Sequence, residues 1–177
     1  LRLYFEGPDN ARKRRSAEAI ATLLHRRLLT GNLEEVAAAS PDADTAFRQI
    51  FREARYRNAA LLLTGVDAFR QDDRQTQWRS FLRTFSEDGE APAVVVLSGD
   101  GSWNSLPAPE GTPAPEVFLL SFPVPSFGER RAHWSACLAR QGVVHDDADI
   151  EALAGRFRFS EEQIDRAVQA QRRQHQE

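Results

Sequence analysis

Of the 23 lysine and arginine residues in this 177-residue chain, one is a lysine, Lys13, and it follows Gly7 by six positions. That spacing fits the template G-x-x-x-x-G-K-[ST], in which backbone N–H groups cradle phosphates, the lysine reaches the outer phosphates and the final hydroxyl holds Mg²⁺. Laid on Gly7, the template runs through Pro8, Asp9, Asn10, Ala11, Arg12, Lys13 and Arg14. The first glycine and the lysine match. Arg12 replaces the second glycine, and its side chain crowds the close backbone approach that a phosphate needs. Arg14 replaces the Ser/Thr and cannot coordinate a cation. Gly7, Asn10, Ala11, Arg12, Lys13 and Arg14 are therefore candidates for nucleotide or anion binding at a loop with decayed machinery. Lys13 itself supports two readings, a phosphate contact or a surface cation.

The elements that must position this loop follow from apolar periodicity. Leu1–Glu6 reads as a strand and Ala17–Leu24 as a helix, with Ser16 as its N-cap and Gly7–Ser16 as the loop between. Arg12, Lys13, Arg14 and Arg15 would then crowd a helix N-terminus against the macrodipole, which points to an anion partner or to a solvated, inert turn. Leu28–Leu29 reads as a short strand and Leu33–Ala39 as a short helix. Pro41-Asp42 opens a helix to Tyr56, with Phe47, Ile50, Phe51 and Ala54 on one face. Ala59–Leu63 and Ala93–Leu97 are continuous apolar runs, as buried parallel strands require. Asp72–Phe85 carries a Trp78, Phe81, Leu82, Phe85 stripe, and Gly89 and Pro92 end it. Ser98–Pro115 is a loop, and Val117–Phe122 is the last strand. After Pro123 and Pro125 only helices follow: Ser126–Arg140 with Phe127, Trp134, Cys137 and Leu138 inward, Asp147–Ala154 ending at Gly155, and Ser160–Gln171 opened by a Ser160/Gln163 capping box. The expectation is an α/β core over residues 1–125 and a helical lid over 126–177. Strands alternating with helices imply a parallel sheet covered on both faces.

Composition narrows the function classes. The net charge of −3 does not favour nucleic acid or an anionic membrane. One cysteine, Cys137, excludes an intrachain disulfide and is consistent with the cytoplasm. No apolar run approaches the ~20 residues of a membrane span. The chain contains no Met and starts inside a strand-like run, which points to a piece of a longer protein.

The phosphate-loop spacing, the three later strand runs and the helical end resemble an AAA+ ATPase module of the P-loop superfamily. VFLLSFPVPSFGERRAHW and LAGRFRFSEEQIDRAVQA are similar to the last strand and lid of bacterial AAA+ proteins. The resemblance implies about five parallel strands in the order 5-1-4-3-2, with Leu1–Glu6 central between the Ala59–Leu63 and Ala93–Leu97 strands. It also places the second motif, Walker B, after Leu61-Leu62-Leu63. There Thr64 stands where the Mg²⁺-linked Asp belongs, Gly65 where the water-activating Glu belongs, and Asp67 matches only the trailing Asp. Sensor 1 falls on the turn Ser98–Asp100, with Ser98 and Gly99 as its candidates and Gly99 nearest the usual Asn. The arginine-finger loop, Trp103–Pro115, has no Arg, and Arg158 and Arg166 in the lid lie in no sensor motif.

These departures make the chain resemble the decayed amino-terminal member of a tandem pair whose other module is active. Its expected role is structural, assembly-related or regulatory, without catalysis, and with ATP and Mg²⁺ as family cofactors not expected here. The implied partners are the active module of the same polypeptide and a homo-oligomeric ring. Some such proteins accompany phage-tail-like contractile injection systems. The alternatives are a weak nucleotide switch or ATPase with an unorthodox loop and, further off, a clamp-loader-like nucleic-acid scaffold.

Other groups carry ordinary readings. His25, His133, His145 and His175 are scattered, and no zinc-binding spacing is present. Asp147 or Asp149 is expected to cap the helix after His145. His133 and Cys137 share a helix face as a base and a thiol, with no oxyanion arrangement beside them. Glu34-Glu35 and Asp72-Asp73 read as solvated helix starts.

Overall fold

The apolar runs become the strands of one parallel sheet. A computed structural model of the chain describes residues 1–39, 42–86, 92–107, 115–143 and 145–174. Pro41, Gly89, His175 and the 108–114 part of the Trp103–Pro115 loop lie outside the described residues. Strands β1 (Arg2–Glu6), β2 (Leu28–Asn32), β3 (Ala60–Thr64), β4 (Val95–Gly99) and β5 (Phe118–Ser121) line up as β2-β3-β4-β1-β5, every neighbouring pair parallel. This is the expected 5-1-4-3-2 order. The expected flanks of the first strand are corrected: β1 lies between β4 and β5, pairing Leu3 with Val96 on one side and Phe118 on the other. The middle strand is β4, buried along its whole length.

Side-chain alternation assigns the two faces. Leu61, Leu63, Val95, Leu97 and Tyr4 point into the larger core, against helices α3 (Ala43–Tyr56) and α4 (Gln75–Ser86). Phe69, Trp78, Phe81 and Phe85 stack in series there, with centroids 5.6, 5.4 and 5.6 Å apart. Leu62, Val96, Leu3 and Phe5 face the other way, onto Ala17 of helix α1 (Asn10–Leu23). Helix α2 (Leu33–Ala39) follows β2. The expected Asp72–Phe85 helix begins with a 3₁₀ turn, Asp72–Arg74, and becomes α-helical at Gln75. The edge strand β5 is exposed along its length, Phe118 by 67 %.

The chain divides into Leu1–Phe122 and Pro123–Glu177. The second unit holds α5 (Phe127–Arg140), α6 (Asp147–Arg156) and α7 (Glu161–Gln174) around Trp134, Cys137, Ile150, Ala154, Ile164 and Val168. Ser126 and Glu129 form a capping box on α5, and Ser160 with Gln163 forms the expected reciprocal pair on α7. Three readings are corrected. Phe127 is half-exposed, because it is the first residue of α5 and the buried stripe begins a turn later at Arg130. Gly155 lies inside α6, which runs on to Arg156. The α6 cap is Asp146, accepting the Asp149 N–H at 2.7 Å, in place of Asp147 or Asp149.

Candidate functional site

The turn from β1 into α1 is far shorter than a phosphate-cradling loop. The helix begins at Asn10, so only Gly7, Pro8 and Asp9 connect the two elements. The expected Gly7–Ser16 loop and Ser16 cap are therefore corrected, and Arg12, Lys13, Arg14 and Arg15 belong to the first turns of the helix. The cap is Asp9, buried with 2 % exposure, whose Oδ1 accepts the Arg12 N–H at 3.0 Å. Its carbonyl accepts the Lys13 N–H at 3.0 Å, and the Asn10 N–H bonds back to Pro8 at 3.0 Å. Amides that would face phosphates in the template are thus committed within the chain. The cause is local: with Arg12 where the template has glycine, nothing interrupts helix formation, and Asp after Pro is a preferred N-cap. Asp9 also supplies the negative charge that the helix N-terminus favours.

Lys13 is not a surface cation. Its side chain is buried, 1 % exposed, and Nζ donates to the carbonyl of Gly7 at 2.6 Å, the carbonyl of Gly99 at 3.1 Å and Oδ1 of Asp100 at 3.3 Å. An ammonium has three donors, and three acceptors take them. The Gly99 carbonyl also accepts the Gly7 N–H at 3.1 Å. Gly7, at φ 120°, would place a Cβ 2.2 Å from the Phe122 carbonyl oxygen, so this position demands glycine for packing against the end of β5, whatever binds nearby.

The positions after β3 and β4 join the same network. Thr64 ends β3 exposed, its hydroxyl 3.4 Å from the Gly31 carbonyl, and Gly65 leads into a 3₁₀ turn, Val66–Arg70. Asp67 accepts the N–H groups of Asp100 at 2.6 Å and Gly101 at 3.2 Å and the Nε of Arg70 at 2.8 Å. Burial opposes ionisation of Asp67, but these donors outweigh it and hold its carboxyl below the usual range. Arg70 also reaches the Ser102 carbonyl at 3.0 Å and the Ser105 hydroxyl. Ser98 is buried, and Gly99 leaves the room that Tyr4 uses: a Cβ there would lie 2.3 Å from Tyr4 Oη. Tyr4 Oη in turn donates to the Gly101 carbonyl at 2.6 Å.

An open cleft of about 690 Å³ lies at these strand ends, where ligands of open α/β sheets bind. Asn10, Lys13, Arg14, Thr64, Gly65, Asp67, Ser98 and Gly99 line it, while Ala11 and Arg12 are not among the lining residues. Sequence reasoning missed Asp9, Arg70 and Tyr4, and reached Asp100 only as the end of the Ser98–Asp100 turn. Only Asp9 carried a signal, as an Asp between Pro8 and a helical run.

Whether a magnesium nucleotide fits turns on the donors and acceptors of the cleft. The ammonium of Lys13 and both oxygens of Asp67 are engaged, Glu35 accepts the Asn32 amide at 3.2 Å, and no carboxylate stands at positions 64 or 65. No described helix is long and apolar enough to cross a membrane.

No curated protein sequence matches this chain. Residues 126–177, nearly the whole of the three-helix unit, match the sequence profile of the contractile injection system ATPase helical domain, so this part of the chain is similar to an ATPase-related module of those assemblies.

Proposed function

We propose that this chain is a catalytically inactive AAA+-like module that serves assembly or regulation beside an active module within a contractile injection system. The observation that carries the reading is the commitment of Lys13. Its three donors hold the β1–α1 turn to the end of β4, so the residue that would grip phosphate acts as an internal brace. Asp9 at the helix start, Arg12 and Arg14 in place of glycine and hydroxyl, and Thr64 and Gly65 in place of the two acidic residues agree with it. The likeness of residues 126–177 supplies the setting. Phosphoryl transfer is catalysed almost entirely by positioning and electrostatics, and those groups are the ones replaced.

The test is calorimetric titration with ATP, with and without Mg²⁺, alongside a turnover assay. The expected dissociation constant is weaker than ~1 mM, about −4 kcal/mol, with no hydrolysis above buffer. A micromolar, Mg²⁺-dependent isotherm, or turnover abolished by Lys13→Ala, overturns the reading and favours the nucleotide switch. Arg12→Gly with Arg14→Thr should recover part of the binding if this turn descends from a phosphate loop.

A further inference from the structure

We propose that the helical unit carries a zinc site built from His133, Cys137 and Asp165, which staples α5 to α7. His133 and Cys137 stand one turn apart on α5, and α7 brings Asp165 between them. Cys137 Sγ lies 2.7 Å and His133 Nε2 3.2 Å from Asp165 Oδ1, and the three ligating atoms fall within 4.8 Å of one another. Tetrahedral zinc with bonds of about 2.3 Å to sulfur and about 2.0 Å to nitrogen and oxygen needs ligand–ligand edges of about 3.3–3.6 Å. The 3.2 Å nitrogen–oxygen separation is close to that edge, and the 2.7 Å sulfur–oxygen separation lies within about 1 Å of it.

The donor set selects the metal. One thiolate, one imidazole and one carboxylate suit zinc and reject Mg²⁺ and Ca²⁺, which take oxygen ligands. The two anionic ligands would neutralise the ion, with the thiol proton passing to solvent on binding.

The arrangement around Asp165 is that of a carboxylate asked to serve too many donors. Its Oδ1 also meets Arg140 Nη2 at 3.2 Å, so Cys137, His133 and Arg140 converge on one oxygen with two lone pairs. Arg140 Nη2 sits 2.9 Å from Cys137 Sγ as well, so the guanidinium occupies the place of the cation. Arg140 meets the cluster through Nη2 and its side chain is 66 % exposed, whereas Cys137 is buried in the core of the unit. A small cavity of about 180 Å³, lined by Arg140, Gln141, Asp165, Val168 and Gln169, opens on the Asp165 side of the cluster.

The experiment is a Co²⁺ titration of the untagged full chain, followed by Zn²⁺ displacement. The expected result is a thiolate-to-cobalt charge-transfer band with tetrahedral d–d bands, saturating at one Co²⁺ per chain and erased by zinc. Cys137→Ser should remove the charge-transfer band. His133→Asn and Asp165→Asn should each weaken binding by more than the ~10–100-fold typical of changes outside the ligand shell. Arg140→Gln, which withdraws the competing cation, should tighten binding several-fold. His133 and Arg140 are partly exposed, so these variants keep the test valid if Cys137→Ser fails to fold, as far-ultraviolet circular dichroism would reveal. A wild-type chain without the charge-transfer band, or binding that survives unchanged in both His133→Asn and Asp165→Asn, overturns the site and leaves a hydrogen-bonded cap over the helical core.

Discussion

Asp67 accepts the backbone N–H of Asp100 at 2.6 Å, which ties the turn after β3 to the turn after β4. The resemblance to AAA+ modules leads to the expectation that Asp67 is the trailing Asp of a second phosphate-site motif. Its observed contacts are all internal. Asp67→Ala should lower the denaturant midpoint by the equivalent of ~2 kcal/mol, because two N–H groups and the Arg70 guanidinium lose a charged acceptor. Nucleotide affinity should not change, and a variant as stable as the parent would show that the tie contributes nothing.

Lys13→Met tests the brace directly. The long apolar stem is kept and the ammonium is lost, so the Gly7 carbonyl gives up its 2.6 Å donor in a buried place. The expected cost is ~1.5–3 kcal/mol by chemical denaturation. A lysine poised for phosphate would behave differently: its replacement would leave stability unchanged or raise it.

Acid should loosen the contact between α3 and α4. Asp44 Oδ1 accepts from Ser80 Oγ at 2.8 Å and Arg83 Nη2 at 2.9 Å, and Oδ2 accepts from Arg48 Nε at 3.0 Å. Burial alone would push the carboxyl up, but these bonds prevail and hold it at about 2. A depressed carboxylate stabilises the fold above its unfolded value of ~3.9 and loses that contribution as pH falls toward the folded value. The parent should therefore lose up to about 2 kcal/mol between pH ~4 and ~2 that Asp44→Asn never had, seen as converging unfolding midpoints at low pH. Parallel pH curves for the two proteins would refute the assignment.

Tyr4 acts at the opposite limit. Burial first, then the nearby Asp67 charge, raise its phenol to about 12. A raised value means the contribution is complete below the unfolded value of ~10 and lost as pH rises toward the folded one. Tyr4→Phe should remove this alkaline sensitivity and cost ~1 kcal/mol at neutral pH through the Gly101 carbonyl left unpaired. Absorbance titration of the phenolate checks it, and an onset near 10 in the folded chain would contradict it.

Arg130 should matter to the helical unit. Its guanidinium donates to the Ala154 carbonyl through Nε at 3.0 Å and Nη2 at 2.9 Å, and to the Pro125 carbonyl through Nη1 at 2.5 Å. Lysine cannot reproduce this planar fork. Arg130→Lys should cost ~1–3 kcal/mol, and a thermal midpoint unchanged from the parent would argue that the fork is dispensable.

The sheet was legible because buried parallel strands are written as unbroken apolar runs: Leu61-Leu62-Leu63 and Val95-Val96-Leu97 face both ways at once. The strand order came from resemblance, and periodicity alone would not have supplied it. The start of α1 is hidden in the sequence because three arginines and a lysine obscure a helix whose cap, Asp9, lies seven residues before Ser16. The ties at the strand ends were invisible for a different reason. Asp67 and Asp100 are 33 positions apart, Lys13 and Gly99 are 86, and no local pattern encodes such pairs. His133 and Cys137 were noticed as neighbours on one helix face, but Asp165 reaches them from 28 positions beyond Cys137.

Burial of Lys13 also leaves the folded core unit with no exposed ε-amino group. Lys13 holds the sole ε-amino group of the chain, and that group is shut between two carbonyls and a carboxylate. Acylation at residue 13 can therefore proceed only from molecules in which the β1–α1 turn has come away from β4. The rate of that reaction measures the opening directly, with no engineered probe, and enzymes that acetylate or ubiquitylate lysine are offered no target on the closed surface.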